Sequence, residues 1–109
     1  MAILIPPTLP ISVGSTDNIA VDMTLDLDGS EVINSATVTE VTTSDLTIAS
    51  DGPSTTTLDI NNTTVAIGKA IQASVSGQSL ATTYTLLLTY TTDSTPARTL
   101  TRWVKVVGV

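Results

Sequence analysis

Thr83-Tyr84-Thr85-Leu86-Leu87-Leu88-Thr89-Tyr90-Thr91-Thr92 is the stretch that decides the fold. Tyr84, Leu86, Leu88 and Tyr90 recur at every second position, while Thr85, Leu87, Thr89 and Thr91 fill the alternate ones. A backbone that sends successive side chains to opposite faces converts this pattern into one apolar and one hydroxyl-rich face, so the segment reads as a central strand. Asp93-Ser94-Thr95-Pro96 then combines residues that favour a reversal. Arg98 to Val107 runs back as the hairpin partner, with Leu100, Val104 and Val106 on one side.

Toward the N-terminus the same period returns. Ile19, Val21, Met23, Leu25 and Leu27 alternate with Ala20, Asp22, Thr24 and Asp26, which predicts a half-buried strand over residues 19–27. Asp28-Gly29-Ser30 turns the chain, Ala36 to Thr43 and Leu46 to Ile48 read as short strands, and Asp51-Gly52-Pro53 reads as a second turn. Leu58 and Ile60 lead into a turn at Asn61-Asn62, after which Val65, Ile67, Ile71, Ala73 and Val75 resume the pattern, punctuated by Gly68 and Gly77. Some seven strands with turn signals every ~8–12 residues predict an all-β chain: an immunoglobulin- or fibronectin-like two-sheet antiparallel β-sandwich. The expected core contains Val21, Met23, Leu25, Leu86, Leu88, Val104 and Val106. Tyr84, at the start of a late strand, is read as structural, either as a tyrosine corner bonded back to a preceding turn or as plain core.

Composition agrees. The 109 residues suit one domain, and about a fifth of them are Thr, with Val and Ile also frequent, so β-branched side chains that fit a pleated surface dominate. Without Phe, and with one Trp and two Tyr, the core must be aliphatic. Pro6, Pro7 and Pro10 hold residues 5–10 extended, which divides the chain into an N-terminal arm, residues 1–13, and a sandwich domain, residues 14–109. The start, Met1-Ala2-Ile3-Leu4-Ile5-Pro6-Pro7, lacks the basic region of a signal peptide, and no apolar run approaches the ~18 residues that span a bilayer, so no membrane partner is expected.

Candidates for chemistry are sparse. With neither His nor Cys, general acid–base and nucleophilic options shrink to carboxylates, which predicts a non-enzymatic protein without cofactor. Asp22, Asp26, Asp28 and Glu31 form the one dense acidic group, but Asp26-Leu27-Asp28-Gly29-Ser30-Glu31 departs from a calcium-binding loop. They read instead as the solvent face of a strand and the turn that ends it, with no metal. Asn61-Asn62-Thr63-Thr64 contains two glycosylation sequons, read here as a turn. Trp103, in a chain with so few aromatic platforms, is expected to pack within the fold or at an interface.

Charge placement says more. A net charge of −6 argues against nucleic acid as a partner. Nine of the ten acids precede residue 60, whereas Arg98, Arg102 and Lys105 lie near the end. This polarity predicts head-to-tail contacts between identical copies, hence a homo-oligomer or many copies in a symmetric assembly. Ile3, Leu4, Ile5, Pro6 and Pro7 of the arm and the three late cations are the expected partner interface, residues 2–13 being taken to contact another chain.

From about residue 20 onward the chain resembles small β-sandwich virion proteins of tailed bacteriophages. The resemblance lies in Asp28-Gly29-Ser30-Glu31-Val32-Ile33, Ser35-Ala36-Thr37, Leu46-Thr47-Ile48, Val75-Ser76-Gly77, Thr83-Tyr84-Thr85, Thr91-Thr92, Arg98-Thr99, Val104 and Val106. It implies an immunoglobulin-like adaptor or accessory subunit joining tail and fiber components, with capsid decoration and carbohydrate or receptor binding as alternatives. It also implies virion partners (portal or adaptor, tail, fiber or capsid subunits), location in the phage particle after synthesis in the host bacterial cytoplasm, and no catalytic residues.

Overall fold

The structure, a computed structural model, describes residues 9–60 and 62–109. Nine strands follow one another among them: β1 (Leu9–Ile11), β2 (Asp17–Asp22), β3 (Ile33–Glu40), β4 (Thr47–Pro53), β5 (Leu58–Ile60), β6 (Thr63–Val65), β7 (Ala70–Ser76), β8 (Thr83–Thr92) and β9 (Thr99–Gly108). They form a four-stranded sheet ordered β1-β9-β8-β3, a three-stranded sheet ordered β2-β7-β4 and a short β5-β6 hairpin. The two larger sheets pack as a β-sandwich, the all-β class the alternation predicts.

The decisive segment behaves as its period dictates. β8 and β9 pair antiparallel from Thr83↔Val107 to Thr91↔Thr99, and Tyr84, Leu86, Leu88 and Tyr90 all point inward and are buried. Val104 and Val106 join them from β9, and Ile19, Ile71, Ala73 and Val75 meet them from the opposite sheet. Burying one such Leu or Val is worth about 1.5–3 kcal/mol relative to exposure, so this interleaved layer is the main cohesive term. It is not purely aliphatic as expected, because both tyrosines, Tyr84 and Tyr90, are its largest fully buried side chains.

Several expectations are corrected. The strand that begins the 19–27 alternation ends at Asp22, where the Asp22 carboxylate accepts hydrogen bonds from the Thr24 N–H and hydroxyl. That local bond competes with the ladder and bends the chain into a 3-10 turn over Thr24–Asp26. Met23 is thereby buried, but Leu25 is turned out at 92% exposure and leaves the expected core, and Val21 sits half-buried at its margin. Ile67, expected to share a strand face with Val65, is exposed in the turn before β7. Asp51-Gly52-Pro53 is not a turn after a strand: it forms the last three residues of β4, which carries a register shift between Ala49 and Gly52, beside Ser50 at φ 55°. The sandwich also begins earlier than residue 14. Leu9–Ile11 pairs in parallel with Val106–Gly108 and Ile11 is core, while residues 1–8 of the expected arm lie outside the described residues.

Tyr84 satisfies both of its readings. It is fully buried, and its hydroxyl accepts a hydrogen bond from the Ser79 N–H at 2.8 Å and donates toward Asp45 Oδ2 at 3.4 Å. This is a tyrosine corner closing the β7–β8 connection. Gly77 makes the corner possible: its φ is 87°, and a Cβ there would stand 2.4 Å from the Asp45 carbonyl oxygen. Tyr84→Phe removes the acceptor and leaves the Ser79 N–H unpaired, so it is expected to destabilise by about 1–3 kcal/mol. Urea unfolding should show a lower midpoint at unchanged slope; an unchanged midpoint would mean that the hydroxyl contributes nothing.

Candidate interaction surface

The acidic group and the late cations meet in space. Glu31 lies in the crossover from β2 to β3, which leaves one sheet and enters the other, and its side chain is only 2% exposed. A buried carboxylate must be paired. Arg98, immediately before β9, grips it through both Nε, at 3.0 Å, and Nη2, and Nη2 also donates to the Asp26 carbonyl. Arg98 and the Thr92 hydroxyl hold the Glu31 carboxyl well below its ordinary range, against the opposing effect of burial. Lys69, at the entrance to β7, donates to the carbonyls of Asp28, Gly29 and Glu31. Asp26 accepts from the Tyr90 hydroxyl at 3.1 Å and from Arg102 at 3.3 Å. Burial, then the nearby Asp26 charge, pushes the Tyr90 hydroxyl up to about 12.

This network alters the reading of the charges. The separation of acids and bases along the sequence is not a separation in space: Arg98 and Arg102 reach back to Glu31 and Asp26 of their own chain, while Lys105 is exposed on β9. Of the residues expected at a partner interface, Ile3, Leu4, Ile5, Pro6 and Pro7 lie outside the described residues. Asp22, expected on the open face of a strand, instead caps the 3-10 turn. Asp51, read as a turn residue, accepts the Val38 N–H at 2.8 Å and so covers a β3 donor. Glu40 caps the loop that follows β3: burial opposes its ionisation, yet hydrogen bonds from Thr43 and Thr42 outweigh that and bring it down to about 2. Nothing local marks the Glu31–Arg98 pair, whose members are separated by 67 residues.

What the fold displays is the outer face of the β1-β9-β8-β3 sheet. The registers align Ser35, Thr91 and Thr99 in one cross-strand row, Thr37, Thr89 and Thr101 in the next, and Thr39, Leu87 and Trp103 in a third. Trp103 is not packed within the fold; it is 58% exposed in the middle of β9. On the outer side of the other sheet a shallow depression of 260 Å³ is lined by Asn18, Ser50, Gln72, Ala73 and Ser74, none of them titratable. The outer face thus carries rows of Ser and Thr hydroxyls, with Trp103 beside Leu87 in the third row. Comparison with protein-family models, curated proteins and solved structures returns no match.

Glu31 yields a prediction with a definite sign. Its native pKa is depressed, so its ionic stabilisation is complete above its ordinary value of 4.5 and is lost as pH falls below that toward the native value. Glu31→Gln should therefore be less stable than wild type at neutral pH, with a gap that narrows toward about pH 3. Denaturant titrations of both proteins at the two pH values check this; a gap of constant size would remove Glu31 from the acid response.

Proposed function

We propose that this protein is a non-enzymatic structural subunit that works by packing against other proteins, an immunoglobulin-like adaptor or accessory component joining tail and fiber parts of a phage virion. The observation that carries the reading is how the polar groups are used. Glu31, Asp26, Arg98, Arg102 and Lys69 bond to one another and to backbone carbonyls, locking a crossover instead of lining a cleft. What is left outward is sheet face and strand edge, which are surfaces suited to contact with another protein.

The strand order supports the immunoglobulin likeness. Reading β2, β3, β4, β7, β8 and β9 as strands B, C, D, E, F and G places B-E-D in one sheet and C-F-G in the other, with β1 beside G and a tyrosine corner at the start of F. The virion assignment rests on the sequence resemblance, and capsid decoration is its near alternative. Exposure of Trp103 favours a second reading, a carbohydrate-binding module, because an open indole flanked by hydroxyls can stack on a sugar ring.

Mass spectrometry of particles purified from cells that produce the protein tests the structural reading. The chain should be found in intact particles at a fixed ratio to the major shell protein; its absence from them would refute a virion role. Titration of Trp103 fluorescence with oligosaccharides tests the second reading, which predicts a saturable change in emission.

A further inference from the structure

We propose that Asp28-Gly29 is a self-modification site: the Gly29 backbone nitrogen attacks the Asp28 carboxyl and converts Asp28 to isoaspartate, which loosens the crossover from β2 to β3. The inference is independent of the assembly role proposed above.

The chain holds two Asp-Gly dipeptides, Asp28-Gly29 and Asp51-Gly52. A glycine after aspartate has no Cβ to hinder its nitrogen from approaching the neighbouring carboxyl, and two groups joined through so few bonds meet at high effective concentration. In the reaction the Gly29 nitrogen bonds to Asp28 Cγ, its proton and the carboxyl hydroxyl leave together as water, and a succinimide ring closes. Water then adds to one of the two ring carbonyls. Addition at Cγ restores aspartate. Addition at the main-chain carbonyl carbon breaks its bond to the Gly29 nitrogen, so the chain runs on through Cγ and the former main-chain carbonyl becomes a free carboxylate. The water released in the first step is regained in the second, and no other reactant enters.

The fold treats the two dipeptides differently. Asp28, Gly29 and Ser30 are exposed in the connection from β2 to β3, and a Cβ on Gly29 would meet nothing within 4 Å. The hydrogen bond of this turn runs from the Glu31 N–H to the Asp28 carbonyl at 2.9 Å and does not use the Gly29 nitrogen. Asp51 and Gly52 lie within β4 instead. The Asp51 carboxylate is engaged by the Val38 N–H at 2.8 Å, and Gly52 is paired with Gln72. Because the Ser54 N–H donates to the Ala70 carbonyl, the alternation of the ladder turns the backbone groups of Gly52, two residues earlier, toward Gln72. Attack at Asp51 therefore requires the ladder to open.

Lys69 sets the rate at Asp28. Its ammonium donates to the carbonyls of Asp28, Gly29 and Glu31, which resists the rotation that carries the Gly29 nitrogen to Cγ. The same bonds explain the consequence. The Asp28 carbonyl accepts from the Glu31 N–H and from Lys69, and the Asp28 N–H donates to Glu31 Oε1 at 3.0 Å. Isoaspartate lengthens the main chain at this point and turns that carbonyl into a side branch, so the turn that seats the buried Glu31 loses its geometry.

Incubation in heavy-oxygen water tests this, because every passage through the ring leaves one heavy oxygen at the aspartyl residue, where tandem mass spectrometry of peptides locates it. The hydroxyl leaves only from the protonated acid, so the incubation is run at mildly acidic pH, on the folded chain and on the chain unfolded in urea. Both dipeptides should label in urea. In the folded chain, Asp28 should label about tenfold faster than Asp51 once each is divided by its unfolded rate. Gly29→Ala, for which the turn has room, should leave the circular dichroism unchanged and slow labelling of Asp28 about tenfold, and Lys69→Ala should speed it while leaving Asp51 unchanged. The isoaspartyl form, separated by chromatography, should unfold at a lower urea midpoint than the parent protein. Labelling of Asp51 as fast as that of Asp28 in the folded chain, labelling of Asp28 unmoved by Gly29→Ala or by a folded Lys69→Ala, or an isoaspartyl form with the parent midpoint overturns the proposal. Should Lys69→Ala fail to fold, the Gly29→Ala comparison decides.

Discussion

A carboxylate taken out of water must find a cation and hydrogen-bond donors, and in this protein that constraint falls on Glu31. The residue sits where the chain passes from the β2-β7-β4 sheet to the β1-β9-β8-β3 sheet. Pairing it with Arg98 fastens the crossover to the β8–β9 turn, and Lys69 fastens the same segment to the sheet it has just left. The two sheets are therefore laced together at this end by charge. At the opposite end of β8 the lacing runs through a tyrosine hydroxyl. Tyr84 projects from one sheet to bond Ser79 and Asp45, which lie in the two connections that cross between the sheets, β7–β8 and β3–β4.

Between these ends the aliphatic layer supplies cohesion without direction, and the polar contacts supply the register. Leu86, Leu88, Val75 and Ile71 could pack in several relative positions of the two sheets. The Glu31–Arg98 pair and the tyrosine corner cannot tolerate slippage, because each would leave a buried polar group unpaired. Where the acids and bases serve this purpose they are not outward-facing chemistry. Among the described residues, what faces outward from the larger sheet is the set of hydroxyl rows and Trp103.

Period-two alternation made the β8–β9 hairpin, the all-β class and most of the core legible, because a strand with one buried face writes its burial into every second residue. The same rule misjudged Leu25. Asp22 bonded to Thr24, two residues along, ended the strand before the alternation did, and a three-residue hydrogen bond leaves no mark in a hydrophobic pattern. Asp51-Gly52-Pro53 carries turn chemistry, yet β4 continues through it past a register shift between Ala49 and Gly52, and there Asp51 accepts the Val38 N–H of β3.

The candidate surface was legible only in its parts. Trp103 and the three late cations are conspicuous in the sequence, but which of them face outward depends on contacts between residues some seventy positions apart, as Arg102 and Asp26 are. The sequence by itself determined the strand period, the β8–β9 hairpin and most of the core positions, because these follow from neighbours along the chain. Tertiary structure alone decided that Arg98 and Arg102 reach back to Glu31 and Asp26 and that Trp103 stands exposed. Each of these depends on how strands distant in sequence align, and side-chain alternation within one strand carries no information about its partner.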